Sequence, residues 1–475
     1  MHGNETDQTN TGLHEELKER LLALTADKAN LPEIRKILLD MPPADAADAI
    51  ELFEPDLQLA IFLSLNKDEA ADIFTYVDSD LRTHLIDNIS EKGTSEKIKQ
   101  EFYKLFEEIH VDDAADIIDE LRDELPANVV DALINSAKSK ERRNQINQIL
   151  SYPDNSAGSI MTVEYIMVGD QISAEQALEH IRRQGRDKET IYNVYAVGKG
   201  RKLTGALSLR DIILAPPETR ICDLMSTPVI HACTLDDQEQ VALKFKEYDL
   251  LAMPVVDKED RLVGIITIDD VVDVIEAENT EDFEKMAALH PSEDEYLKTN
   301  VFRLARNRIP WLVVMMVSAT VTGWIISRFQ SVLEKQVILA TFIPMLMDTG
   351  GNCGAQISTL IIRGMAVGEI KLSDCLQVVW KELRVGMLVA LVLCTLNCFR
   401  MYYLVPGITW VVAIVVNITL FITVTLAKII GCLLPLAAKA LKRDPALMAT
   451  PMLTTIVDAI TLAVYFLVAR RILGL

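Results

Sequence analysis

Asp458 lies in the run TTIVDAITLAVYF, among apolar and small neighbours. A carboxylate at membrane depth is costly, so it usually faces a water-filled path or a partner, where it can hold a cation. The alternative is a carboxyl neutralised by protonation or by a helix-packing contact. Asp348 is a second acid, inside IPMLMDTGGNCGAQ, a stretch that also holds Gly350, Gly351 and Gly354. Glycines let backbones approach closely and can free carbonyls to line a cavity. Asn352 and Gln356 fall one helical turn apart, able to bridge helices or hold water, or simply to pack. Asn417 and Thr419 add further polar atoms, and Pro344, Pro435 and Pro451 can bend their helices. One carboxylate is a poor site for a divalent cation, but two chains around a shared axis supply two. Hard divalent cations take oxygen ligands and hold on to their water, so a ring of carboxylates and carbonyls around a hydrated ion suits them. An anion path would need Arg or Lys at depth, and Lys428 is the central candidate.

A second group of acids recurs in water-soluble sequence: ADAAD at 44–48, DEAAD at 68–72 and DDAAD at 112–116, each leading into apolar residues at helical spacing. Paired alanines allow tight packing, and Asp112 and Asp116, four apart, share one helix face. Such acids can be cation ligands, or they can do no more than favour helix starts. The repetition predicts a superstructure of repeated helical units.

The elements that must position these acids divide at about residue 300. Residues 1–300 hold 62 Asp and Glu against 31 Lys and Arg, whereas 301–475 hold 7 against 16. The soluble half is thus strongly acidic, which argues against nucleic acid and anionic lipid as its partners and suits cations or plain solubility. The other half contains five apolar segments long enough to span a bilayer, at about 309–327, 337–362, 378–399, 408–434 and 450–469. Arg303, Arg306 and Arg308 precede the first span. Lys371, Lys381 and Arg384 lie between the second and third, and Lys439, Lys442 and Arg443 between the fourth and fifth. That bias places the N-terminal half in the cytosol, with Arg470 and Arg471 running against it. The N-terminal ten residues form no apolar signal segment. The seven cysteines make no CxxC pair and no Cys/His cluster at metal spacing, so all are expected reduced and structural.

Residues 155–275 alternate short β-rich runs with helical ones and repeat once: MTVEYIMV at 161–168 answers MSTPVIHA at 225–232, and VYAVGKGRKLTGALSLRDII at 194–213 answers MPVVDKEDRLVGIITIDDVV at 253–272. Each half predicts strand, helix, two strands and helix, and the repeat resembles a tandem pair of CBS domains. The carrying motifs are GALSLRD, with Ser208 and Asp211, and GIITIDD, with Thr267 and Asp270. In CBS pairs this strand-to-helix turn often holds an adenine nucleotide, so the resemblance makes these four residues a candidate ATP site. A long acidic helix is expected over 271–300, crowded with Asp273, Glu276, Glu278, Glu281, Asp282 and Glu284. Like charges about 5 Å apart at an effective dielectric near 20 repel by roughly 3 kcal/mol, so several such contacts exceed the few kcal/mol that separate typical conformational states.

Acidic helical domain, CBS pair, acidic connector and five spans, in that order, resemble the MgtE magnesium transporters from about residue 30 to the end. IPMLMDTGGNCGAQISTLIIRG at 343–364 and LPLAAKALKRDPALMATPMLTTIVDA at 434–459 carry the resemblance best. The expected fold is multidomain. After a flexible N-terminus and leading helix at 1–30 come an all-α acidic domain at 31–152 and α/β CBS domains at 153–214 and 215–273. A connector, or plug, helix at 274–306 and an all-α transmembrane domain of five helices at 307–475 complete it. The resemblance implies a homodimer in the plasma membrane with the pore between two membrane halves. It implies that Asp458 binds hydrated Mg²⁺ while Thr454 offers its carbonyl. It implies regulatory Mg²⁺ held by Asp112 and Asp116 of the helical domain, by Asp237, Glu239, Asp249, Asp270 and Asp273 of the second CBS unit, and by Glu281 and Asp282 of the connector. Glu239 stands where the pattern has Asp, which keeps an oxygen ligand, and Asp80 matches more weakly. Ser208 stands where the pattern has Thr. Asp348 and Cys353 receive no role in conduction. The expected mechanism is closure by cytosolic Mg²⁺ bridging acidic surfaces. An anion or osmolyte carrier regulated by its CBS pair, and a membrane-anchored sensor that transports nothing, are the other readings. No Ser/His/Asp set, P-loop or HExxH motif points to an enzyme.

Overall fold

The computed structural model describes residues 31–90, 99, 102, 105–122, 125–137, 139–292, 296–297, 299–405, 407–448 and 450–474. The leading segment 1–30 lies outside them. The chain forms two compact units that meet between Val274 and Ile275.

The first unit opens with helices α1 (Leu31–Leu39), α2 (Pro43–Glu51), α3 (Pro55–Ser64), α4 (Lys67–Phe74), α5 (Ser79–Ser90), α6 (Val111–Arg122), α7 (Ala127–Ser136) and α8 (Lys140–Ile149). The three acid-alanine motifs start α2, α4 and α6. Their alanines, Ala46, Ala47, Ala70, Ala71, Ala114 and Ala115, are all buried, letting the helices pack closely. The acids sit inside the first turn, where the helix dipole favours them, rather than capping it: Pro42 precedes α2, and Asn66 caps α4 in a reciprocal box with Glu69. Phe74 anchors the core edge-on to Phe62, Phe102 and Phe106, with ring centroids 5.7–5.9 Å apart.

The two CBS copies follow. The first is β1 (Ile166–Gly169), α9 (Ala174–Gln184), β2 (Asn193–Val197), β3 (Leu203–Ser208) and α10 (Leu209–Leu214). A short α11 (Ile221–Leu224) leads to β4 (Ala232–Cys233), α12 (Gln238–Tyr248), β5 (Ala252–Val256), β6 (Leu262–Thr267) and α13 (Ile268–Met286). In each copy the first strand pairs parallel with the second, as a helical crossover requires, and the second antiparallel with the third. The copies interlock: Thr162 bridges to Ile265, and the Tyr165 hydroxyl donates to the Leu262 carbonyl at 3.1 Å while accepting from Arg201 at 2.6 Å.

The connector corrects the expectation of one helix over 271–300 and of a connector helix extending to 306. The α13 helix ends at Met286. Ala288 takes a left-handed conformation (φ 55°), the Leu289 amide donates back to the Glu284 carbonyl, and Pro291 follows. A left-handed residue closing the last turn and a proline three residues on form a helix stop. Helix resumes at Val301 behind an Asn300 cap, so Arg303, Arg306 and Arg308 belong to the first long helix of the membrane half.

That half contains α14 (Val301–Arg328), a short α15 (Gln330–Lys335), α16 (Ile343–Ala366), α17 (Cys375–Leu404), α18 (Trp410–Ala440) and α19 (Thr450–Leu473). The five long helices match the five expected segments. Among the described residues, α14 and the helical stretches containing α17, α18 and α19 are long and apolar enough to cross a membrane. The α16 helix falls short by composition, because Asp348, Thr349, Asn352 and Gln356 interrupt it. Its small residues allow close packing instead. A methyl added at Gly350 would lie 2.7 Å from Thr423 Cγ2 on α18, and one at Gly354 would lie 3.3 Å from Leu453 on α19. The α14 helix buries no residue, and its Leu312, Val313, Met316 and Trp324 form an exposed apolar surface of the kind lipid solvates.

Candidate metal centres

Asp458, on α19, is half-buried against α16. A Cβ added at Gly351 would meet Thr454 Cγ2 at 3.2 Å and Asp458 Oδ1 at 4.0 Å, so glycine leaves the approach to the carboxylate open. Asp348, Asn352 and Gln356 line one exposed face of α16, and the Asn352 amide donates to Asp348 Oδ1 at 3.1 Å. The Thr454 hydroxyl donates to the Pro451 carbonyl at 3.0 Å, so it is occupied within its own helix. Lys428 is buried, and its Nζ stands 4.0 Å from Glu382, an equally enclosed carboxylate. Its charge is thereby offset, which weakens the case for an anion path.

In the first unit, α6 and the start of α13 bring Asp112, Asp116 and Asp270 within each other's fields. Asp112 is 8% exposed, and its Oδ1 has no hydrogen-bond partner among the described residues. Burial, then the charges of Asp113 and Glu189, push its carboxyl up to about 7. Asp116, one turn on, is exposed, and what desolvation it has, with the charges of Asp112 and Asp113, raises its carboxyl as well. Asp270 is raised to about 8 by desolvation and by Asp112, Asp269 and Asp116, although a 2.6 Å hydrogen bond from Thr267 opposes the rise. The charges of the α6 acids thus reach Asp270 at the start of α13 in the second CBS copy.

The remaining expected residues fall into separate local roles. Asp237 caps α12, accepting from the Glu239 and Gln240 amides at 3.0 and 3.4 Å. Asp249 ends that helix in a left-handed conformation, exposed. Asp273 is exposed on α13, and Glu239 is partly exposed at the opposite end of α12 from Asp249. Ser208 and Asp211 form a reciprocal cap at an exposed turn, with the hydroxyl donating to the carboxylate at 2.7 Å. Thr267 and Asp270 repeat that geometry, but Asp270 also faces the α6 acids.

On the connector, Lys285 links two carboxylates, Glu281 at 2.7 Å and Asp444 at 2.6 Å. Asp282 beside them is raised to about 6 by desolvation first and then by Asp444. Met286 packs with Ile362 and Ala446, so the end of α13 is seated on the loop between α18 and α19. Asp444 was not singled out in the sequence, though it is the lone acid of the basic loop KALKRDP.

A further cluster has no counterpart among the expected residues. His110 Nδ1 lies 2.7 Å from Glu164 Oε2 and 3.1 Å from Glu189 Oε2. The hydrogen bond with Glu164 raises the imidazole to about 9, against a lowering by burial, with Glu189, Glu164 and Asp112 adding to the rise. Only a contact between residues 54 apart exposes this site, and the sequence around His110 carries no metal-ligand spacing.

A multi-pass membrane half with carboxylates beside a glycine-lined helix, on one chain with an acidic half that carries a tandem CBS pair, defines a membrane transport protein with an attached CBS-bearing domain. Residues 343–468 match the family described as MgtE, divalent cation transporter; residues 41–155 match the MgtE intracellular N domain; and 157–218 and 221–277 match CBS domains. The magnesium transporter MgtE of Thermus thermophilus is 38% identical over 368 residues, covering 76% of this chain and 80% of that one. The magnesium transporter MgtE of Bacillus subtilis is 34% identical over 328 residues, covering 68% and 71%. A solved structure described as the cytosolic domain of the Mg²⁺ channel MgtE in complex with ATP is 33% identical, covers 50% of this chain and 93% of that one, and superposes with a TM-score of 0.46. The chain belongs to the MgtE family of divalent cation transporters.

Proposed function

We propose that this protein carries Mg²⁺ across the plasma membrane and is closed by cytosolic Mg²⁺ bound to its acidic half. The observation that carries the gating part is the buried Asp112, whose Oδ1 has no hydrogen-bond partner among the described residues, on the α6 face it shares with Asp116. Unpaired buried carboxylates are costly, and a hard dication that accepts oxygen ligands relieves that cost. Mg²⁺ is therefore a bond between the helical domain and the second CBS domain that forms only when the ion is abundant. A second Mg²⁺-responsive cluster is formed by Glu281, Asp282 and Asp444 around Lys285, where the connector end meets the membrane half. Asp237, Glu239, Asp249 and Asp273 are proposed as further ligands that become useful once these surfaces close.

In the membrane, Asp458 supplies the ion-binding carboxylate and Thr454 its backbone carbonyl, with Asp348 and Asn352 extending the polar face. A homodimer doubles this set and encloses the path. Transport needs no covalent reaction, since the membrane potential supplies about 2.3 kcal/mol per charge per 100 mV. ATP is proposed at the Ser208–Asp211 turn of the CBS pair, because at the Thr267–Asp270 turn the neighbouring acids would repel phosphate. The functional division is proposed as 31–152, 153–214 and 215–273, followed by a connector over 274–306 whose helix ends at Met286.

Single-channel recording in planar bilayers tests the gating. Open probability should fall as Mg²⁺ is raised on the side of the acidic half, and Asp112→Asn combined with Asp270→Asn should shift closure to higher Mg²⁺. Sustained opening of the wild type at high Mg²⁺ would refute the proposal.

A further inference from the structure

We propose that His110, Glu164 and Glu189 form a binding site for a borderline transition-metal dication of the zinc class, tying the helical domain to the first CBS domain. One ring nitrogen and one oxygen from each carboxylate lie within 4.8 Å of one another. Tetrahedral ligands at 2.0–2.1 Å from zinc stand about 3.3 Å apart. The observed 2.7 and 3.1 Å separations therefore need only a small expansion to admit an ion.

The carboxylates are held in place before any ion arrives. The Glu189 amide donates to the Glu164 carbonyl at 2.9 Å, fixing the two backbones together. Both side chains are largely enclosed, at 15% and 21% exposure, while His110 at 48% leaves a way in. Arg142 donates to the Phe106 carbonyl at 3.2 Å and to the Ile109 carbonyl, and its guanidinium lies 3.8 Å from Glu164 Oε1. It thereby anchors the chain that presents His110 and orients one ligand from behind, as outer partners of metal sites do.

Ligand type separates this site from the all-oxygen clusters. Imidazole nitrogen favours zinc, cobalt and nickel, whereas Mg²⁺ prefers oxygen and keeps its water. Three protein ligands leave a fourth position for water. The site draws on both domains, through His110 just before α6 and through the glutamates on the approaches to β1 and β2, so an ion here would brace the helical domain against the first CBS domain, beside the Mg²⁺ contact proposed with the second.

The test uses full-length, tag-free protein in detergent, stripped with chelator and then held in millimolar Mg²⁺ to fill oxygen sites. Zn²⁺ binding is measured by equilibrium dialysis, Co²⁺ binding by its visible absorption, and domain closure by protease resistance. Wild type should bind one Zn²⁺ that Mg²⁺ does not displace, show a cobalt spectrum with nitrogen ligation, and gain protease resistance from Zn²⁺ when Mg²⁺ is absent. His110→Ala should weaken that binding at least tenfold and lose the cobalt band and the zinc protection, while keeping protection by Mg²⁺. Glu189→Gln gives the same comparison should His110→Ala not fold. Equal Zn²⁺ binding in wild type and variant, or displacement of Zn²⁺ by Mg²⁺, would overturn the inference and leave the magnesium reading standing. Loss of Mg²⁺ protection in the wild type would instead strike the magnesium reading.

Discussion

A carboxylate at the centre of a span costs on the order of 2.5–3.5 kcal/mol on insertion scales, so Asp458 needs a compensating role. Asp458→Asn keeps the size and shape of the side chain, removes its charge and turns one acceptor oxygen into an amide donor. Mg²⁺ flux into liposomes should drop at least tenfold, about 1.4 kcal/mol of lost ion stabilisation, with folding and oligomeric mass unchanged. Flux equal to wild type would remove Asp458 from the path. The sensor acids carry a pH dependence whose direction follows from their raised carboxyls. In metal-free protein Asp112 and Asp270 hold protons up to about pH 7 to 8, far above an ordinary Asp. The folded state binds these protons more tightly than the unfolded chain does. Metal-free stability from this cluster is therefore complete below about pH 4 and lost as pH rises through 7 to 8. Mg²⁺ must displace the same protons. The Mg²⁺ concentration for half-maximal protease protection should rise as pH is lowered from 8 to 6, and Asp112→Asn should flatten that dependence.

At the scale of elements, close helix packing around α16 sets the membrane half. A Cβ at Gly431 would lie 2.5 Å from the Gly354 carbonyl and 2.4 Å from Ile357 Cγ2, whereas one at Gly323 would meet nothing within 4 Å. Gly431→Ala should cost roughly 1–3 kcal/mol by overpacking, seen as a lower melting temperature in detergent, and Gly323→Ala should be neutral. The end of α13 offers a second test. Lys285 lies among Glu281, Asp282 and Asp444, so Lys285→Met leaves three acids facing one another. Closure should then demand more Mg²⁺, by about two- to fivefold if the pair energies are those of partly exposed bridges, measured as the midpoint of channel closure. Much of this architecture was legible in sequence, because repeats and apolar runs are periodic signals. The CBS copies showed themselves through GALSLRD and GIITIDD, and the α2, α4 and α6 starts through their alanine pairs. The connector helix was overextended because charge density alone hid a stop made by Ala288 and Pro291. The partners of Asp112 were legible only in part. Asp270 belonged to a motif, whereas His110, Glu164 and Glu189 are ordinary residues until folding joins segments 54 positions apart.

For the whole molecule, the separation of charge is the governing quantity. Residues 1–300 carry 31 more acids than bases, and the membrane half carries 9 more bases than acids. Acids within about a Debye length, about 8 Å at physiological ionic strength, repel without much screening, and the excess sits on the part expected to move. A dication neutralises two such charges and can hold both, so several ions binding a common closed arrangement should act cooperatively. A switch from mostly open to mostly closed takes about 5.5 kcal/mol of differential binding. One exposed carboxylate pair supplies far less than this, and several sites acting together can reach it. Closure measured against Mg²⁺ should therefore follow a Hill slope above one. Each single acid-to-amide change among Asp112, Asp270 and Asp282 should shift the midpoint and lower the slope without abolishing closure. Monovalent salt should substitute poorly, because it screens the acids without bridging them. A slope of one that no such substitution alters would mean that a single site governs the gate, and that the acidity of the soluble half serves solubility alone.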